Sequence, residues 1–110
     1  METRRDTFQA IADPTRRAII DLVSRQPMNL NAIAAHFSIS RPAISKQMKV
    51  LEECGLVQVE EKGRERYCSL RIEKLFEVSE WIEQYKREWN SRLDALERYL
   101  EQVQQTKKAT

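Results

Sequence analysis

Apolar positions along the chain follow a helical period first, then an alternating one, then a helical one again. Over residues 3–12, Phe8, Ile11 and Ala12 recur at helical spacing, which predicts a short amphipathic helix. Asp13-Pro14 closes it and opens a second, because Asp is a good N-cap and Pro fits the first helical turn. That helix is expected over residues 14–25, with Ala18, Ile19, Leu22 and Val23 inward, and Gln26-Pro27 ends it. Asn29 reads as the next N-cap, ahead of Leu30, Ile33, Ala34 and Phe37 at i, i+3, i+4 and i+7. Ser38-Ile39-Ser40 reads as a tight polar turn with one buried residue. A fourth helix then starts at Arg41 or Pro42 and runs to Glu53 or Cys54, with Gly55 just past its C-cap.

Beyond Gly55 the period shortens. Leu56, Val57 and Val59 read as a strand, residues 61–65 as a charged turn, and residues 66–70 as a returning strand, together a β-hairpin. The helical period returns in a long helix from Glu73 to Gln104. Its seam runs through Leu75, Val78, Ile82, Tyr85, Trp89, Leu93, Leu96, Leu100 and Val103, with gaps of 3, 4, 3, 4, 4, 3, 4 and 3. Such a seam suits a helix packed along a partner helix. Lys107-Lys108 reads as a frayed tail. Short helix, tight turn, second helix is a helix-turn-helix, and the charged hairpin behind it makes a wing. The expectation is a mainly α chain with a small β-hairpin wing. It forms one winged helix-turn-helix domain over residues 1–110, with residues 72–104 as the long helix and 105–110 as a tail.

Composition narrows the function. Two glycines and three prolines in 110 residues do not suit an all-β barrel. No apolar run is long enough for a membrane helix or a signal peptide, so a cytoplasmic protein with no membrane partner is expected. Cys54 and Cys68 form neither a disulfide framework nor a zinc ribbon, and one histidine, His36, is too little imidazole for a metal or catalytic site. No metal and no cofactor is expected. Enzymatic readings find no Gly-rich phosphate loop and no nucleophile beside a base. The acids of the last helix, Glu73, Glu77, Glu80, Glu83 and Glu88, read as solvent faces and i, i+4 partners for Lys and Arg. A chain this small buries a modest core, which favours a homodimer.

The fourth helix carries the chemistry. Ile44, Met48 and Leu51 form its inward face. Pro42, Ser45, Lys46 and Lys49 cluster elsewhere, with Arg41 and Gln47 at the margins and no acid before Glu52. In a DNA major groove, Arg or Lys reaches guanine O6 and N7 and Gln can pair with adenine. Ser38, Ser40 and the free amides at the helix N-terminus suit phosphate oxygens. Lys62, Arg64 and Arg66 add a basic wing for the backbone or minor groove, although Glu61 and Glu65 also fit a generic charged turn. The net charge is only +2, yet it is unevenly distributed. Residues 38–50 carry +3 and residues 61–71 carry +2, whereas residues 51–60 and 72–105 each carry −3. A basic reading face offset by acidic segments leaves double-stranded DNA a reasonable partner.

Two stretches resemble the ArsR family of winged-helix bacterial repressors. One runs FQAIADPTRRAIIDL from Phe8 to Leu22, the other ISRPAISKQMKVLEECGLV from Ile39 to Val57, followed by Lys62-Gly-Arg64 and Tyr67. The likeness is to the branch of SdpR-like autorepressors. It implies a homodimer built from the first and last helices, which places Phe8, Ile11, Leu75, Val78, Ile82, Tyr85, Trp89, Leu93, Leu96 and Leu100 at the dimer interface. It also implies DNA reading by Ser40, Arg41, Pro42, Ser45, Lys46 and Gln47, with Arg64 on the wing. The family's metal sites need a Cys-x-Cys pair in the third helix or several His and acidic residues in the last, and neither pattern is present. The expectation is therefore a repressor on a pseudo-palindromic operator, including its own promoter. Two alternatives stay open: a redox- or small-molecule-responsive regulator of the same fold, using Cys54 and Cys68 or a pocket near Trp81, Tyr85 and Trp89, and a winged-helix protein-interaction module.

Overall fold

The computed structural model describes residues 5–108. Its contacts divide into a first unit that ends at Val78 and a second that begins at Ser79.

In the first unit, three short helices and the fourth enclose an aliphatic core. Helix α1 spans Thr7–Ile11 and α2 spans Pro14–Val23. Each starts on an aspartate whose carboxylate accepts a backbone N–H three residues on: Asp6 from Gln9 at 2.9 Å, and Asp13 from Arg16 at 3.1 Å. The inward faces differ from those the sequence suggested. Helix α1 buries Thr7 and Ala10, while Phe8 and Ile11 are half-buried and Ile11 packs on the core. Helix α2 ends before the expected Arg25 and buries Arg16, Ile19, Ile20 and Val23, leaving Ala18 and Leu22 half-buried. The true stripe is the i, i+3, i+4, i+7 series beginning at Arg16.

Strand β1 (Met28–Asn29) follows, an element without a sequence signal, because two residues are too few to show a period. Asn29 both pairs in the sheet and caps α3 (Leu30–Ala34), its Oδ1 accepting from the Ala32 N–H at 2.7 Å. Phe37 lies beyond the end of that helix but still packs on the core. The turn residue Ile39 is exposed, at 44%, rather than buried.

Helix α4 (Arg41–Glu53) buries Ile44, Met48 and Leu51 as the wheel predicted. It ends in a Schellman motif: Leu56 N–H donates to Leu51 O at 3.1 Å and Gly55 N–H to Glu52 O at 3.0 Å. Gly55 supplies the required φ of +78°. Strands β2 (Val57–Lys62) and β3 (Glu65–Leu70) form the wing, and the sheet order is β1-β3-β2, all antiparallel. The wing's loop is Gly63-Arg64 alone, shorter than the five-residue turn expected, because Glu61 and Lys62 continue β2 and pair with Arg66 and Glu65. A positive φ at Gly63 followed by an ordinary one at Arg64 suits a type II′ hairpin.

The long helix starts later and ends later than expected. Ile72–Leu75 form a 3-10 turn, and Leu75 packs on the core of the first unit. Helix α5 then runs Phe76–Lys108, so Lys107 and Lys108 are helical and residues 105–108 extend the rod rather than forming a tail. Residues 109–110 of the expected tail lie outside the described residues. No residue of α5 is buried, and among the described residues no helix is long and apolar enough to cross a membrane.

Candidate nucleic-acid interface

The structure brings three of the six expected cations, Lys46, Lys49 and Arg66, onto one open groove of the first unit. Helix α4 starts at Ser40, whose Oγ accepts from the Ala43 N–H at 3.3 Å. Ile44 N–H donates to Ser40 O at 3.1 Å and Pro42 has no N–H. The helix N-terminus therefore leaves the Ser40 and Arg41 N–H groups without a partner among the described residues. Arg41, Pro42, Ser45, Lys46 and Lys49 are all exposed, as are Ser38 and Ser40 in the preceding turn.

Facing α4 is the inner face of the wing. Register places Val57, Val59 and Glu61 opposite Leu70, Cys68 and Arg66, so these side chains share one face of the hairpin. Val57 and Cys68 enter the core, and Arg66 extends the same face past it. Together Pro42, Ser45, Lys46 and Lys49 of α4 and Val59 and Arg66 of the wing line a groove of about 820 Å3. Acids enter only at its C-terminal end, as Glu52 and Glu53. Glu53 is paired with Arg5 Nε at 2.8 Å, which offsets its charge.

Lys62 and Glu65 pair across the loop on the other face of the hairpin, so the structure separates Lys62 from Arg66. The Glu65 carboxylate turns back along the sheet: its Oε2 accepts from Tyr67 Oη at 2.8 Å and from Asn29 Nδ2 at 3.3 Å. The bond from Tyr67, and then the carboxylate's charge, push the Tyr67 pKa up. Arg64, at the loop, is exposed.

Gln47 is the one reading position that is not fully exposed. Its Oε1 accepts from Arg16 Nη1 at 2.9 Å. Arg16 is buried and its other donors also end in protein: Nε on Ala10 O at 3.0 Å and Nη2 on Gln9 O at 2.8 Å. Both carbonyls belong to the last turn of α1, where Gln9 O also accepts from the Ala12 N–H at 3.3 Å and the guanidinium adds a second donor. Sequence reasoning missed Arg16. Its signal was an arginine at the head of the series 16, 19, 20, 23, the spacing of a buried stripe.

Cys54 and Cys68 are both buried and free. Burial pushes the Cys68 thiol up to about 11, with the Glu52 carboxylate adding to it, and raises Cys54 despite Arg5 and Arg16 nearby. Both stay protonated at neutral pH, which opposes the thiolate chemistry of a redox switch. Among the described residues, no three His, Cys, Asp or Glu side chains are grouped as metal ligands. In the second unit, α5 exposes Trp81, Ile82, Tyr85, Trp89, Leu93, Leu96 and Leu100. Trp81 and Tyr85 meet edge to face at 5.3 Å and 68°. Val78 is half-buried.

Comparison with known proteins agrees with this arrangement. Residues 13–59, from the α2 cap to the first wing strand, match the model of the bacterial regulatory protein, arsR family. The transcriptional repressor SdpR of Bacillus subtilis is 38% identical over 77 residues, 70% of this chain and 86% of its own. The crystal structure of an ArsR family transcriptional regulator superposes with a TM-score of 0.68 at 34% identity, covering 76% of this chain and 87% of that one. An ArsR-like transcriptional regulator from Rhodococcus sp. RHA1 gives the same TM-score at 31% identity over 86% of each chain. With a repressor of this similarity aligned over most of its length, and the winged helix-turn-helix in place, the chain belongs to the arsR family of bacterial regulatory proteins.

Proposed function

We propose that this protein is a DNA-binding transcriptional repressor that acts as a homodimer on a pseudo-palindromic operator, its own promoter among the targets. The observation that carries the reading is the exposed α4 face. Arg41, Ser45, Lys46 and Lys49 are exposed, and Ser45, Lys46 and Lys49 share a groove with Arg66 of the wing, with acids only at its far end. Cations on a helix of this kind enter a major groove and meet guanine edges, while exposed serines and the basic wing meet phosphates. Dimerisation is supported by the exposed apolar series along α5, which a second copy would cover. Two reading helices about one helical turn apart, ~34 Å, would then meet two half-sites. Binding there blocks access to the promoter.

The similarity to a transcriptional repressor from Bacillus subtilis supports the direction of control. The test is a gel-shift titration on the DNA upstream of the protein's own coding sequence. Retardation that weakens steeply with salt is expected. Absence of retardation at moderate salt would instead support a protein-interaction module.

A further inference from the structure

Arg16 is an arginine on a buried helical stripe with its hydrogen bonds directed into the protein. Two of them hold the last turn of α1, and the third reaches across to α4. A guanidinium has five N–H donors and no acceptor, so the atom of Gln47 that faces it must be Oε1. The chemistry of the pair thereby sets the orientation of the amide. Gln47 Nε2 points to no hydrogen-bond partner among the described residues, and Gln47 is half-buried beside the exposed Lys46.

That orientation bears on base choice. A free glutamine pairs with adenine in two places, its oxygen accepting from N6 and its nitrogen donating to N7. With the oxygen held towards Arg16 by one of its two lone pairs, the amide end turned away from Arg16 is Nε2 with its two N–H groups. Guanine is the base whose major-groove edge presents two acceptors, N7 and O6, and no donor. We propose that Arg16 is a positioning residue that turns the Gln47 amide so that its N–H edge faces the groove, and that this selects guanine at the base pair Gln47 meets. The proposal rests on the reading of α4 as the DNA-contacting helix.

The test is selection of bound duplexes from a randomised pool by the wild-type protein, Gln47→Ala and Arg16→Lys, with the melting temperature of each. One position per half-site should carry guanine in the wild type. Gln47→Ala should lose about 5- to 150-fold of preference there and nowhere else, the range of one good base contact. Arg16→Lys keeps the charge but not the fork, and should move that same position from guanine towards adenine. In the Gln47→Ala background it should change nothing further at that position. A purely structural Arg16 would lower affinity at every position together with the melting temperature, and that result overturns the proposal. Should Arg16→Lys not fold, Gln47→Glu decides: its carboxylate still accepts from Arg16 but has no N–H to donate, so the guanine preference must vanish. Its survival there, or adenine at the Gln47-dependent position in the wild type, overturns the proposal. A wild-type protein that selects no sequence at all would remove the DNA-reading assignment as well, whereas a selected site with no Gln47-dependent guanine removes this inference alone.

Discussion

Glu65 determines how basic the wing is. Its position opposite Lys62 would allow the two to cancel, but Tyr67 and Asn29 draw its carboxylate along the sheet instead. A hydrogen bond to a carboxylate from two neutral donors holds it without removing a cation from the surface. Cys68 is decided by burial in a similar way. Its pKa lies near 11 in the fold against 9.0 for an ordinary thiol, so between those values the unfolded chain loses a proton that the folded chain keeps. Stability must then fall as pH rises from about 9 to 11. Denaturant titrations across that range should show the decline, with a flatter profile in Cys68→Ala. An identical alkaline slope in both proteins would remove Cys68 as its source.

Among the elements, α4 was almost fully legible. Its start, its inward face and the glycine behind it follow from one N-cap, one period and one left-handed residue. Replacing Gly55 with alanine should destabilise the fold by about 1–2 kcal/mol, because a side chain at φ +78° meets its own carbonyl. Equilibrium unfolding measures it, and a neutral substitution would mean that the helix end readjusts freely. The wing was legible as a hairpin but not in register. Glu61, Lys62 and Glu65 look like a turn by charge, yet each pairs in the ladder, since strand pairing depends on backbone partners and not on hydropathy. Strand β1 and Arg16 were hidden for related reasons: one is too short for a period, and the other is a charge on an apolar stripe. Arg64, at the exposed loop, should act on DNA through phosphate contact. Arg64→Ala should weaken binding evenly across sequences and flatten the salt dependence by about one unit of slope. An unchanged slope would mean that the loop does not touch DNA.

For the whole molecule, the small net charge of +2 conceals its distribution. Cations gather along the α4 groove and the wing, whereas the segment that makes up α5 carries more acids than bases. Such a pattern steers a molecule towards a polyanion without making it basic overall. The exposed apolar series of α5 was the part of the candidate interface most visible in the sequence, because a seam over many turns cannot arise from a solvated face. A charge placed in it, as in Leu96→Glu, should leave a 13.0 kDa monomer in sedimentation, against an expected twice that mass for the wild type. A dimer that survives the change would locate the association elsewhere. Whether the exposed basic face of α4 reads DNA is decided by the operator affinity of Arg41→Ala/Lys46→Ala against the wild type in one gel-shift titration at fixed salt. The double variant should lose about 1–3 kcal/mol for each base contact removed. Equal affinity of the two proteins would mean that α4 is not the reading helix.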